Sequence, residues 1–192
     1  MVGKHLRNPS EAILESKKKK SIGKTIGYLA LSAVLLAIAA AISSAKTGLL
    51  LGMIGTGPLI LAVGVFLLVL VGAFVVGWIV ALVATILGGK GDQYEGLTSV
   101  ANALVVPSIG ALVAVLVSFI PYVGVPLLFL VLAISISVGL ASLYRSVKEL
   151  FSTDMITAFV VVSVLSLALI LALFATMISL SASMPFSSLA LV

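Results

Sequence analysis

The 192-residue sequence is 62% hydrophobic and only 9% charged, with a mean hydropathy of +1.38, against about 45–50% apolar and about 25% charged residues in soluble domains. Too few charges remain to cover the surface of a water-soluble fold, so the composition excludes one and makes lipid the solvent. With no cysteine there is no disulfide framework, thiolate nucleophile or cysteine metal site, and the net charge of +5 is unevenly placed.

Seven of the eleven Lys and Arg residues precede residue 25: Lys4, Arg7, Lys17, Lys18, Lys19, Lys20 and Lys24. The run Lys17, Lys18, Lys19, Lys20 with Lys24 is suited to two roles at once. It anchors the topology of the first span, and it contacts anionic lipid headgroups, worth about 1 kcal/mol per basic residue near the surface. Nucleic acid is not an expected partner, since no aromatics interleave with the run and no nucleic-acid module surrounds it. Within this arm, which also holds the single histidine, His5, the string Asn8-Pro9-Ser10-Glu11-Ala12 carries a helix-start signal. It predicts a short surface helix over 10–20.

The first apolar stretch, 26–45, is about 20 residues, which matches a hydrocarbon core of ~30 Å at ~1.5 Å per residue. A cleavable signal peptide has a shorter apolar region, so a retained span is expected. Residues 47–87 then carry no charge, too long for one helix and marginal for two. Gly48, Gly52, Gly55, Gly57 and Pro58 disfavour a continuous helix. This reading puts a short non-cytoplasmic connection or partial re-entrant turn there, and a second span over 58–87 that tilts, protrudes or bends. A polar loop at 88–96 leads to a third span over 97–120, in which Pro107 removes a backbone donor and is expected to kink the helix. After a tight uncharged turn at 121–126 a fourth span follows to 143. The charged loop 144–154 precedes a fifth span over 155–181.

The expected fold is therefore all-α, a polytopic bundle of five transmembrane helices, divided into a basic arm (1–25) and one membrane domain (26–192). With the N-terminus cytoplasmic and the C-terminus outside, ten basic residues lie inside and only Lys46 outside. Splitting 47–87 into two spans gives a poorer division of seven against four. The expected location is a multi-pass membrane position, the plasma membrane for a prokaryotic chain.

No Asp, Glu, Lys, Arg or His falls within these spans, which argues against proton relays and coupled pumps. Small and polar residues recur at helical spacing instead: Gly110, Ala114 and Ser118 on span three, Ser135, Gly139 and Ser142 on span four, and Ala172, Ala175, Thr176 and Ser179 on span five. Such faces serve either close helix packing or a hydrophilic path through the bilayer. Asn102, one turn before Pro107, suits satisfaction of the disturbed backbone. Catalysis finds no support, because no G-x-S-x-G elbow is present and no histidine or carboxylate stands ready to activate a serine in the membrane. The loop Gly88-Gly89-Lys90-Gly91 lacks phosphate-loop spacing and follows a membrane helix. No cofactor, metal or enzymatic activity is expected.

These residues resemble the Yip1 family of five-span membrane proteins, particularly its prokaryotic branch. The likeness rests on Pro9 within Asn8-Pro9-Ser10-Glu11-Ala12, on Gly88 and Gly89 of the glycine loop, and on Pro107 within Val106-Pro107-Ser108. It continues with Gly139-Leu140 closing span four, Ser152-Thr153 and Ala158. What the resemblance implies is an association with membranes and with partner proteins; eukaryotic members are linked to early secretory membranes, Rab-type GTPases and other Yip proteins. The long N-terminal region of many eukaryotic members has no counterpart here, so GTPase binding is not carried over. Two functional readings follow. One is a non-enzymatic scaffold or adaptor whose cytoplasmic face recruits a protein partner or organises lipid. The other is a small passive channel or facilitator, built as a homo-oligomer and lined by the Ser, Thr and Gly faces of spans three to five.

Overall fold

A computed structural model describes residues 21–50 and 57–167. Outside them lie the expected surface helix at 10–20, Pro9, Lys17, Lys18, Lys19 and Lys20, the stretch 51–56, and the part of the fifth span beyond Leu167. The described residues fold into five helices: α1 (Ile22–Leu50), α2 (Gly57–Ile86), α3 (Gln93–Val117), α4 (Gly124–Leu150) and α5 (Met155–Leu167). The first four are long and apolar enough to cross a membrane, and α5 is a shorter apolar helix over its described length.

The helices overrun the apolar stretches that predicted them. α1 begins at Ile22 and takes in Lys24, α3 begins at Gln93 and takes in Glu95, and α4 continues to Leu150 through Arg145, Lys148 and Glu149. The expected charged loop at 144–154 is thus reduced to a turn after Leu150, and a carboxylate does stand inside the first turn of α3. The reason is physical: Lys, Arg and Glu are good helix formers, so a helix does not stop where hydrocarbon does. At ~1.5 Å per residue, α1 to α4 are roughly 37–45 Å long, beyond a core of about 30 Å, and their charged turns have room at the headgroups.

α1 and α3 run parallel, with α2 and α4 antiparallel to them. α3 is the centre of the bundle and packs on α1, α2 and α4. Its role follows from its small residues, which bury all around it: Gly96, Ser99, Ala101, Ser108, Gly110 and Ala114. α2, by contrast, is the most apolar of the four long helices, with a mean hydropathy of 3.2. It buries only Ala73, Gly77, Val80, Ala81 and Ala84. Leu67, Leu68, Phe74 and Trp78 point outward, which costs nothing in lipid. At the α2–α3 crossing, a methyl on Gly96 would run into the Gly77 carbonyl oxygen, and one on Gly77 would meet the Leu97 Cα at 2.9 Å.

Pro107 lies inside α3, and the helix is unbroken from Gln93 to Val117. Proline deprives the Ala103 carbonyl of its usual intrahelical donor. α4 covers this turn closely: a methyl on Gly139 would meet the Ala103 oxygen at 3.0 Å and also the Pro107 ring, and Ser142 Oγ donates to the Asn102 carbonyl at 3.4 Å. Asn102 itself is buried. The turn joining α3 to α4 is tight, as expected, but lies over 118–123 rather than 121–126, because Gly124, Val125 and Pro126 already belong to α4; it is closed by Val123 N–H to Pro121 O at 2.7 Å, with Tyr122 in the left-handed region at φ 63°.

Candidate functional site at the charged end

Among the described residues, Lys24, Lys90, Asp92, Glu95, Arg145, Lys148, Glu149 and Asp154 all lie at the end of the bundle where α1 and α3 begin and α2 and α4 finish. Lys46 is the one charged residue described at the other end. This asymmetry is assembled from helix termini, each closed by local chemistry.

α2 ends on a glycine in the left-handed region, Gly88 at φ 89°. Gly88 N–H donates to Thr85 O at 3.0 Å and Gly89 N–H to Ala84 O at 2.8 Å, a Schellman pair that satisfies two terminal carbonyls. α4 ends in the same way without glycine: Ser152 takes φ 50° and Thr153 N–H donates to Lys148 O at 3.1 Å. The two turns then join. Lys90 N–H donates to Phe151 O at 2.8 Å, and Gly91 lies so close on the Phe151 ring that any side chain there would collide with it. Phe151 is completely buried as a result.

The first turns of α3 and α5 use the carboxylates. Asp92 caps α3: its Oδ1 accepts from Tyr94 N at 2.9 Å and Glu95 N at 3.4 Å, while Glu95 Oε2 accepts from Asp92 N at 3.0 Å. Both acids sit where the helix dipole favours negative charge. Asp154 heads α5, and its carboxyl is held below the usual carboxylate range by the Thr157 hydroxyl and then by the Thr157 N–H, at 3.2 Å. α1 is tied in by Thr25, whose hydroxyl lies 3.1 Å from that of Thr98 and donates to Tyr94 Oη at 3.5 Å.

Of the residues singled out from sequence, Lys24, Gly88 and Gly89 lie at this end. Pro107, Gly139 and Leu140 meet deeper in the bundle, where they line an apolar cavity of about 160 Å3. Gly110 packs directly on Ser135, whose hydroxyl donates to Val131 O at 2.7 Å. Ala114 is fully buried. Ser118 sits at the far end of α3, where Lys46 Nζ donates to its carbonyl at 2.6 Å and its Oγ at 3.0 Å and lies 4.8 Å from the Phe119 ring centroid. Sequence reasoning missed the joining of the two loops through Phe151 and the cap on α3. The latter had a legible signal in Asp92-x-x-Glu95, a capping box; the former had none, because it pairs backbone with backbone across sixty residues of chain.

The model of the Yip1 domain matches residues 4–177, which takes in every described element. No curated protein and no solved structure matches the chain.

Proposed function

The chain belongs to the Yip1 family, and from that premise we propose that it is a non-enzymatic membrane scaffold that recruits a protein partner through its charged end. The fused pair of turns carries this reading. Hydrogen bonding of Lys90 to Phe151 and the seating of Gly91 on the Phe151 ring hold the exposed Lys90 and Arg145 ends of α2–α3 and α4 on one fixed platform. A fixed platform loses less entropy on binding than two mobile loops. The positive-inside rule assigns this end to the cytoplasm.

The hydroxyls that a channel would require give that alternative less support. Ser108 donates to Val105 O, Ser135 to Val131 O, Ser137 to Ala133 O and Ser118 to Val115 O, so these groups are engaged with helix backbone. Photo-crosslinking residues placed at Lys90 and Arg145, with Tyr122 as the control at the opposite end, test the scaffold reading in native membranes. Discrete protein adducts at the first two sites and none at Tyr122 are expected. Absence of adducts, combined with solute flux in liposomes holding the purified chain, would overturn it.

A further inference from the structure

The cavity beside Pro107 is a gap between four helices. Val76 of α2, Leu104 and Pro107 of α3, and Ile136 and Leu140 of α4 form its walls, and α5 reaches it at Leu165 and Ser166. Ile136 and Leu140 are exposed beside it. Its volume of about 160 Å3 decides what fits. A cavity of about 150 Å3 takes one benzene, so this one takes a single large side chain and is too small for a lipid acyl chain.

α5 points to that side chain. It buries Ala158, Val161 and Leu165 and exposes Val160, Val164 and Leu167, so one stripe faces the bundle and the other faces lipid. The sequence carries both stripes past Leu167 at steps of three and four residues. The inner one continues as Leu169, Ala172, Thr176 and Ser179, and the outer one as Leu171, Phe174 and Ile178. Small and hydroxyl residues thus follow the buried stripe and large apolar ones the exposed stripe, the division expected of a helix that packs in lipid. Leu169 is the large residue among the inner four. It comes one turn after Leu165, which is already at the cavity, so the chain delivers it there without the entropy cost of recruiting a second molecule.

We propose that Leu169 fills this cavity, and that the segment 168–179 closes the remaining side of α3 by setting Ala172, Thr176 and Ser179 against it. The turn disturbed by Pro107 is then enclosed within the packed bundle, and it offers no lateral opening to lipid or to a second copy of the chain. This inference rests on packing inside the bundle and stands independently of partner recruitment at the charged end.

The chain has no cysteine, and Met155 stands between α4 and Leu169. Cyanogen bromide cleaves after methionine and therefore separates Ile136 and Leu140 from Leu169 unless a disulfide joins them. Two double variants of the full chain, Ile136→Cys with Leu169→Cys and Leu140→Cys with Leu169→Cys, are oxidised in native membranes and then cleaved. Ile136→Cys with Leu171→Cys is the control, and unchanged circular dichroism of all three shows that they fold. Joined fragments are expected in at least one Leu169 pair at about ten-fold the yield of the control, because a disulfide needs Cα atoms within about 7 Å. Equal yields, or joined fragments in neither Leu169 pair, overturn the proposal. A disulfide-linked dimer before cleavage places a second copy at the cavity and overturns it as well.

Discussion

Lys46 illustrates how a single charge is accommodated at the nearly chargeless end. Its ammonium donates to the Ser118 carbonyl and hydroxyl at the C-terminus of α3, where orphan carbonyls and the negative end of the helix dipole favour a cation. It thereby fastens α1 to α3. Lys46→Met should lower stability in detergent by about 1 kcal/mol, while Lys46→Arg should keep most of it; a thermal unfolding series with both variants checks this. At the other end, Asp154 has its carboxyl pKa lowered by the Thr157 hydroxyl and N–H. A depressed folded-state pKa stabilises above the unfolded value and loses that stabilisation as pH falls through the folded value. Protection of the Thr157 amide against hydrogen exchange should accordingly be constant above the usual carboxylate range and fall at lower pH. In Asp154→Asn this pH dependence should vanish.

Between elements, the seam of α3 and α4 carries the packing that small residues permit. Gly110 on Ser135 and Gly139 on Pro107 bring the two backbones together, and the carbonyls around the proline-disturbed turn meet Gly139 and Ser142. Gly139→Leu should destabilise by about 1–3 kcal/mol through overpacking, whereas Ser142→Ala should cost only about 0.6 kcal/mol, the mean of an interhelical hydrogen bond in lipid. Denaturation of the two variants side by side in mixed micelles separates them. The helices themselves were legible because long apolar runs are unambiguous, and so was the turn around Tyr122. Their ends were not: apolarity reports where hydrocarbon lies, while α3 begins where Asp92 and Glu95 close a capping box and α4 ends only at Leu150. Pairing of Pro107 with Gly139 was likewise hidden, since spacing shows that a face is small but not which face it meets.

At the scale of the molecule, the described helices form an up-and-down bundle with one charged end and one nearly bare end, and the Yip1 family assignment covers the whole of it. The charged end is held together by backbone and ring contacts between turns that close α2 and α4. Gly91→Leu should therefore displace the Phe151 ring and weaken the platform by about 1–3 kcal/mol, seen as faster proteolysis within 88–92 and 151–154. Partner recruitment by this platform requires that it face the cytoplasm. The chain has no cysteine, so single-cysteine variants at Lys90, Ser152 and Tyr122 give unambiguous labelling with a membrane-impermeant maleimide in sealed vesicles of known orientation. In right-side-out vesicles the account predicts labelling at Tyr122 and none at Lys90 or Ser152 until the membrane is permeabilised; labelling of Lys90 and Ser152 with Tyr122 protected would contradict it.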